Sequence, residues 1–188
     1  MSGNELGLYR QRILADVQGE VLEIGFGTGL NLSYYPKHIQ KITTVDVNPG
    51  VNTLAQKRIQ ASAITVVHHV LNGEKLPMAD NTFDSVVSTW TLCSIANIHQ
   101  ALKEIYRVLK PSGRFFFIEH GLSETPSVQV WQHRLTPIQK VIGDGCHLDR
   151  DIQAIVKRQF ESIKLEQFDM ENVPKTHGHM YMGIATKT

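Results

Sequence analysis

The sequence has little of three features that mark particular classes of protein: cysteine, an excess of charge of one sign, and long apolar runs. Its two cysteines, Cys93 and Cys146, lie in no CxxC pair and in no cysteine/histidine set with zinc spacing. The cysteine pattern therefore gives no sign of a zinc centre. So few cysteines favour a reducing compartment, and we predict the cytoplasm.

The formal net charge of the 188 residues is +1, so the chain has no broad basic field to attract nucleic acid or anionic lipid. The N-terminus, Met-Ser-Gly-Asn-Glu, lacks the cationic start and apolar run of a secretory signal. No stretch approaches the ~18 consecutive apolar residues that span a bilayer. We therefore expect no nucleic-acid partner, no secretory signal and no integral membrane association.

The overall composition is typical of a globular protein. The hydrophobic share is 41% and the charged share 20%. A chain of this length buries roughly 70% of its unfolded surface, enough for one core without disulfides or metal staples. We predict a single domain over residues 1–188. Composition does not specify an oligomeric state.

Strand-like apolar runs alternate with helical periodicity over the first 120 residues, which predicts right-handed βαβ crossovers and a parallel sheet. In such a doubly wound α/β sheet, ligands bind at the carboxyl ends of the strands, beside the first strand. The predicted strands are 20–24, 41–46, 64–69, 83–90 and 113–119. The predicted helices are 4–18, a stretch ending near Pro36, 49–61 and 96–110.

The regular alternation of predicted strands and helices ends after residue 120. Two helices are predicted around 126–142 and 150–160, joined by a polar, glycine-rich loop, and together they form a helical insertion at about 121–160. Two more strand-like runs, 162–168 and 179–186, have no predicted helix between them, so we expect them to pair antiparallel at the sheet edge. The fold class is a mostly parallel seven-stranded sheet with an antiparallel C-terminal edge pair.

A glycine loop follows the first strand, with Gly25, Gly27 and Gly29 spaced as GxGxG and Glu23 two residues before the first glycine. Nicotinamide enzymes need GxGxxG so that a helix N-terminus can hold a pyrophosphate, yet position 30 is Leu. S-adenosylmethionine carries no phosphate, and its ammonium, sulfonium and adenosine need close backbone approach and a nearby carboxylate. The loop therefore favours S-adenosylmethionine as the cofactor over NAD.

An acidic residue also ends the second predicted strand, since Asp46 lies 17 residues after Gly29. At that place its carboxylate can accept hydrogen bonds from both ribose hydroxyls. The alternative is an N-cap for the helix that begins near Pro49. The co-occurrence with the glycine loop favours the ribose.

Four segments carry a resemblance to a known family: Glu-Ile-Gly-Phe-Gly-Thr-Gly at 23–29, Val-Asp-Val-Asn-Pro at 45–49, the run 72–84, and 102–113 with its Arg-Val-Leu-Lys-Pro. Over about residues 20–120 the chain resembles the class I S-adenosylmethionine-dependent methyltransferases of the type 11 group, which includes the ubiquinone and menaquinone C-methyltransferases. The resemblance, with the loop argument, implies these cofactor-binding residues: Glu23, Gly25, Phe26, Gly27, Gly29, Asn31, Asp46, Val47, Asn72, Gly73, Glu74 and Thr89.

One position departs from the family pattern: its adenine-binding Asp is Asn72 here. An amide oxygen still accepts from the adenine amino group, so binding should survive without the charge. The backbone at Gly73 would serve adenine N1.

The resemblance narrows toward the carboxyl end. The segments 90–94, 117–120 and 131–150 look like the methyltransferase-like subgroup that includes the thiol S-methyltransferases. Its known membrane-bound members begin with a hydrophobic anchor, which we do not find in this sequence. We therefore do not extend the membrane location of those members to this chain, and we extend their preference for lipophilic substrates only in part.

Methyl transfer from a sulfonium is an in-line displacement whose leaving group is already activated, so a catalytic base is optional. His120, just past the fifth strand, is a candidate base, or a histidine hydrogen-bonded at a strand end. His147 and Asp149 are a candidate base and its orienter, with a loop-stabilising network as the alternative. Cys93 is interpreted as a small buried hydrophobe rather than a nucleophile.

Four residues could together suggest a metal site, Cys146, His147, His177 and His179, but their spacings match no zinc pattern, so we predict no metal site there. Trp90, Trp131 and Leu135 are expected to wall an apolar acceptor pocket. We thus predict methyl transfer to a small-molecule acceptor, mainly apolar, with a thiol first. A quinone-like carbon, a lipid amine, or a catalytically silent S-adenosylmethionine-binding protein are the alternatives.

Overall fold

Seven strands form one sheet in the computed structural model of the chain, which describes residues 4–188 apart from the side chains at positions 4 and 49–54. The strands are β1 (Val21–Ile24), β2 (Lys41–Asp46), β3 (Thr65–Val70), β4 (Phe83–Thr89), β5 (Leu109–His120), β6 (Ser162–Asp169) and β7 (His179–Thr186). The helices are α1 (Asn4–Leu14), α2 (Pro49–Ala61), α3 (Ile98–Val108), α4 (Pro126–Ile142), α5 (Ile152–Lys157) and α6 (Lys175–Gly178), with a 3₁₀ helix at Leu30–Ser33.

The sheet order is β3-β2-β1-β4-β5-β7-β6. Strands β1 to β5 are parallel, and β7 is antiparallel to both of its neighbours. The predicted fold class is confirmed. The chain leaves β1 toward β2 on one side and returns to β4 on the other, so the carboxyl end of β1 is the switch point where a ligand is expected.

Burial explains why the central strands are almost wholly apolar. All four residues of β1 are buried, as are Phe115, Phe116, Phe117 and Ile118 in β5. Strands covered on both faces need apolar side chains in both directions. One apolar cluster lies on each side of the sheet, and helix α3 packs Ile105 and Val108 into the first of them.

Several predicted helices are shorter than the sequence indicated. Helix α5 covers Ile152–Lys157 and not 150–160, and α3 covers Ile98–Val108 and not 96–110. The stretch after the glycine loop forms a 3₁₀ helix at Leu30–Ser33 and not an α-helix to Pro36. It begins from Gly29 in the left-handed region, at φ +72°. Helix α1 ends at Leu14 rather than near residue 18, because Val17 donates its amide back to Leu14 in a turn and buries its own side chain.

The two C-terminal strands pair antiparallel at one edge of the sheet, as predicted. Of the two, β6 is the edge strand, and β7 lies between β5 and β6. The four-residue helix α6 separates them, where none was predicted. Pro174 starts that turn with φ −52°, a value suited to a helix start. In the described part of the chain, no helix is long and apolar enough to cross a membrane.

Candidate active site

A cavity of about 600 Å³ opens at the carboxyl ends of β1, β2 and β4. Its wall combines the glycine loop with the ends of these strands, plus Arg10 from α1 and Asp144 from the loop after α4. Nine of the predicted cofactor residues line it: Gly25, Phe26, Gly27, Asp46, Val47, Asn72, Gly73, Glu74 and Thr89.

The glycine loop is held in a conformation that side chains would disturb. Gly25 has φ +76°, and a Cβ there would collide with the Thr91 side chain. Gly27 has φ +56°, but a Cβ there would meet nothing closer than the Gly25 carbonyl oxygen at 3.9 Å. Position 25 requires glycine because of both its positive φ and its close packing against Thr91. Position 27 requires glycine because of its positive φ, and a side chain there would fill space that a ligand would use.

Asp46 joins the glycine loop to the end of β2. Its Oδ2 accepts the Gly27 amide at 2.8 Å, and its Oδ1 accepts the Asn48 amide at 2.9 Å. These bonds orient the carboxylate at the cavity wall. Each oxygen has two lone pairs, so one bond on each leaves capacity for a further donor.

Three predicted cofactor residues, Glu23, Gly29 and Asn31, do not line the cavity. Glu23 is buried, with its oxygens accepting from Asn31 Nδ2 and from the Tyr35 hydroxyl, both at 2.8 Å. Burial raises the pKa of the Glu23 carboxyl to about 7, although the two hydrogen bonds act in the opposite direction. This acid supports the loop from inside.

Arg10 is a cavity residue that sequence reasoning missed. Its guanidinium donates to Asn31 Oδ1 and, at 3.2 Å, to Thr89 Oγ1, and lies 4.7 Å from the centre of the Trp90 ring. Desolvation by burial lowers its pKa, and the nearby Glu23 acts in the opposite direction. Its helix precedes the glycine loop and carries no motif, so only the folded arrangement identifies it.

Local hydrogen bonds hold the part of the cavity wall that contains Asn72 and Glu74. Asn72 Oδ1 accepts the Glu74 amide at 2.8 Å, and Glu74 Oε1 accepts the Asn97 amide at the start of α3, at 2.9 Å. Farther from the cavity, Arg107 donates to the carbonyl oxygen of Leu76 at 2.9 Å. Part of the family-like 72–84 run thus stabilises this loop.

The three candidate catalytic residues, His120, His147 and Asp149, lie outside the described wall of the cavity. His120 Nε2 is 3.0 Å from Cys146 Sγ. Asp149 places Oδ2 3.0 Å from His133 Nδ1, while its Oδ1 is 3.9 Å from His147 Nδ1. Burial lowers the pKa of His147. These contacts fit a loop-stabilising network.

The two cysteines lie together with Leu148 in a third apolar cluster, which is much smaller than the two on the faces of the sheet. Contact with the Cys93 thiol lowers the pKa of Cys146, helped by His120, while contact with Cys146 and burial raise the pKa of Cys93. Cys93 is buried, as the sequence predicted. The contact with Cys146, 53 positions away, was not predicted, because no spacing rule links the two.

The predicted apolar pocket is not assembled from its three residues. Trp90 lines the cavity, but Trp131 is 55% exposed on α4 and Leu135 packs against the cysteine cluster. Trp90 holds φ +53°, uncommon for a large side chain, at the turn that follows β4. The insertion reaches the cavity through Asp144 instead.

Comparisons with known proteins agree with this geometry. Residues 22–117 match the family model described as a methyltransferase domain. The chain is 41% identical over 156 residues to the thiol S-methyltransferase TMT1B of Rattus norvegicus, covering 78% of this chain and 62% of that protein. It is 31% identical over 130 residues to the ubiquinone/menaquinone C-methyltransferase UbiE of Bartonella quintana, covering 63% and 49%.

Among solved structures, the N-methyltransferase NodS of Bradyrhizobium japonicum, in complex with S-adenosylhomocysteine, superposes with a TM-score of 0.70. The match covers 97% of this chain and 86% of that one at 14% identity, so it concerns the fold alone. The chain spans 62% of the length of its thiol S-methyltransferase relative from Rattus norvegicus.

Proposed function

The chain belongs to the methyltransferase domain family of class I S-adenosylmethionine-dependent enzymes, and on that premise we propose that it binds this cofactor in the cavity at the ends of β1, β2 and β4. We further propose that it transfers the methyl group to a small, mainly apolar acceptor, a thiol first. The observation that carries the proposal is Asp46, placed beside the glycine loop with both oxygens at the cavity wall.

The charges of the cavity favour S-adenosylmethionine over a dinucleotide. The charged residues of its described wall are Asp46, Glu74, Asp144 and Arg10. Three acids beside one guanidinium repel a pyrophosphate but suit a ligand that carries an ammonium, a sulfonium and one carboxylate. Nicotinamide oxidoreduction is the less favoured function for this reason.

Each part of the cofactor has a matching group. The Asp46 carboxylate accepts from the ribose hydroxyls, and Asn72 Oδ1 accepts from the adenine amino group. The Arg10 guanidinium pairs with the methionyl carboxylate, since Arg is suited to carboxylates. Gly27 leaves room for the chain of the cofactor to approach the loop. Glu23 and Asn31 act indirectly, by holding Arg10 in place.

The transfer itself needs a nucleophile in line with the sulfonium. A thiolate sulfur forms a bond to the methyl carbon while the bond from that carbon to the sulfonium sulfur breaks, and S-adenosylhomocysteine leaves as a neutral thioether. A free alkyl thiol is largely protonated at neutral pH, so its proton must first pass to a base or to water. His120 and His147 with Asp149 stay the predicted bases.

The support for a thiol is the likeness to TMT1B over 78% of this chain, which includes segments outside the family model. The likeness to UbiE keeps a quinone carbon as the second candidate. A silent cofactor-binding protein is the alternative of a different class.

The purified chain, given S-adenosylmethionine and one acceptor at a time, should form S-adenosylhomocysteine fastest with a small alkyl thiol. A quinone analogue and a lipid amine are the comparison acceptors, and product is measured by mass spectrometry. Methylation of the quinone analogue with none of the thiol would reject the thiol. Cofactor binding without turnover on any of the three would favour the silent binder, whereas NADH binding without S-adenosylmethionine binding would reject the proposal as a whole.

A further inference from the structure

The fold brings together three soft-metal ligands that lie far apart in sequence. Cys93 follows β4, His120 ends β5 and Cys146 belongs to the loop after α4. The two sulfur atoms and one ring nitrogen lie within 4.8 Å of one another. In the described part of the chain, this is the only group of three or more His, Cys, Asp or Glu side chains close enough to share a metal ion.

We propose that Cys93 Sγ, His120 Nε2 and Cys146 Sγ form a zinc site, in which the ion crosslinks the ends of β4 and β5 to the loop after α4. Two thiolates and one imidazole are a ligand set that zinc uses, and three protein ligands leave the fourth tetrahedral position to a ligand from outside the protein. Two thiolates also neutralise the charge of the ion, which a buried site requires.

The distances suit such an ion. Tetrahedral zinc, with bonds of about 2.3 Å to sulfur and about 2.0–2.1 Å to nitrogen, separates its ligand atoms by roughly 3.5–3.8 Å. His120 Nε2 and Cys146 Sγ are 3.0 Å apart, and every pair lies within 4.8 Å. Shifts of about an ångström or less therefore open the cluster to the ion.

Burial also suits a bound metal. The cysteines are 3% and 7% exposed, and the whole cluster is screened from bulk solvent. The neighbouring backbone is fixed, since the His147 amide donates to the Cys93 carbonyl oxygen at 3.0 Å. Arg150 donates to the Leu92 carbonyl oxygen beside it.

The site adjoins the cavity but is distinct from it. Ser94 lines the cavity and its Oγ is 3.6 Å from Cys93 Sγ, and Asp144 lines the cavity two residues before Cys146. An ion at the cluster would therefore set the position of two wall residues. This inference concerns metal binding and does not depend on the methyl acceptor. A His120 that binds the ion cannot also act as the catalytic base, which leaves His147, paired with Asp149, as the predicted base.

The test is metal content and Co²⁺ spectroscopy of the untagged, reduced chain. We expect close to one zinc per chain by mass spectrometry, and with Co²⁺ a thiolate-to-metal charge-transfer band together with tetrahedral d–d bands. Zinc affinity, measured against a chromogenic chelator, should fall by at least about 100-fold in Cys146→Ser and in His120→Ala. The matched control is His99→Ala, an exposed histidine outside the cluster.

Zinc should also raise the thermal midpoint of the wild-type chain and leave that of Cys146→Ser unchanged. Absence of the Co²⁺ thiolate band in the wild type overturns the proposal without relying on any variant. Equal zinc affinity in wild type and His120→Ala would remove His120 from the site.

Discussion

The cavity edge around the glycine loop and the Cys93–His120–Cys146 cluster are built from contacts of different sequence separation. At the glycine loop, Asn31 bonds to Glu23 across 8 positions and Gly27 to Asp46 across 19. In the cluster, Cys93 and Cys146 lie close together although 53 positions separate them in the sequence. A site made within two successive βα units leaves a motif in the sequence, whereas one assembled from three distant segments leaves none.

The comparison predicts that single changes on the cofactor side have large and separable effects on stability and on ligand affinity. The largest is expected at Gly25. Gly25→Ala should lower the free energy of unfolding by about 2–5 kcal/mol, because φ +76° is strained for alanine and the added Cβ collides with Thr91. Chemical denaturation of the unliganded chain measures this.

Gly27→Ala is the matched control for that prediction. Its φ of +56° brings strain of about 1–2 kcal/mol, but the added Cβ points into open space. The loss of stability should therefore be clearly smaller, while cofactor affinity still falls. Equal losses of stability in both variants would contradict the packing argument at Thr91.

The second prediction concerns the pH dependence of stability. Because the pKa of Glu23 is raised from 4.5 to about 7, the folded chain keeps a proton that the unfolded chain loses. This contribution to stability is fully present below pH 4.5 and is lost as pH rises to about 7, a decrease of roughly 3 kcal/mol.

Glu23→Gln cannot titrate and should lack this slope. Unfolding free energies of wild type and variant, measured from pH 4 to 8, should converge or cross as pH rises. Glu5→Gln, on α1, is the control for a general loss of acidic charge. Parallel curves for wild type and Glu23→Gln would show that Glu23 titrates alike in both states.

The third prediction tests the ribose contact. Asp46→Ala should weaken S-adenosylhomocysteine about tenfold or more, since charge-assisted hydrogen bonds of roughly 1.5–3 kcal/mol are lost. Titration calorimetry gives the affinity. Asp16→Ala, an exposed acid outside the cavity, should bind as the wild type does. Unchanged affinity in Asp46→Ala would reject the assignment of this residue.

The smallest effect on cofactor affinity is expected at Asn72, the position where the family pattern has Asp. Asn72→Asp restores a charged acceptor for the adenine amino group and should strengthen S-adenosylhomocysteine binding by about two- to fivefold. The side chain keeps its acceptor position, where Asn72 Oδ1 already accepts the Glu74 amide. Weaker binding in the variant would indicate that the acids at Asp46 and Glu74 dominate through like-charge repulsion.

Local patterns account for what was predictable. The alternation of strands and helices specified the parallel sheet, and GxGxG with Asp46 located the cavity. The departures arise where tertiary packing decides. Gly29 starts a 3₁₀ helix and not the α-helix that its position suggested. The sequences of the two C-terminal strands also did not indicate which of them would pair with β5.

The candidate site divides in the same way. Residues on the glycine loop and strand ends lie in the wall because strand register places them there. Arg10 reaches the wall from a helix without a motif, and the meeting of His120 with Cys146 depends on where the 143–150 loop folds back. Neither follows from spacing along the chain, because both depend on contacts between separate elements.

The late position of β7 has a consequence for how the chain folds during synthesis. Strand β5 carries Phe115, Phe116 and Phe117, yet its second neighbour pairs Arg114 with Thr186, near the end of the sequence. Until β7 has been synthesised and has left the ribosome, β5 is an apolar edge strand with unpaired amide and carbonyl groups, and such strands are prone to intermolecular pairing. The pairing of β5 with β7 is also slow to form, since distant segments must meet before the loop-closure entropy is recovered. The nascent chain is therefore most open to aggregation in the interval between the emergence of β5 and that of β7.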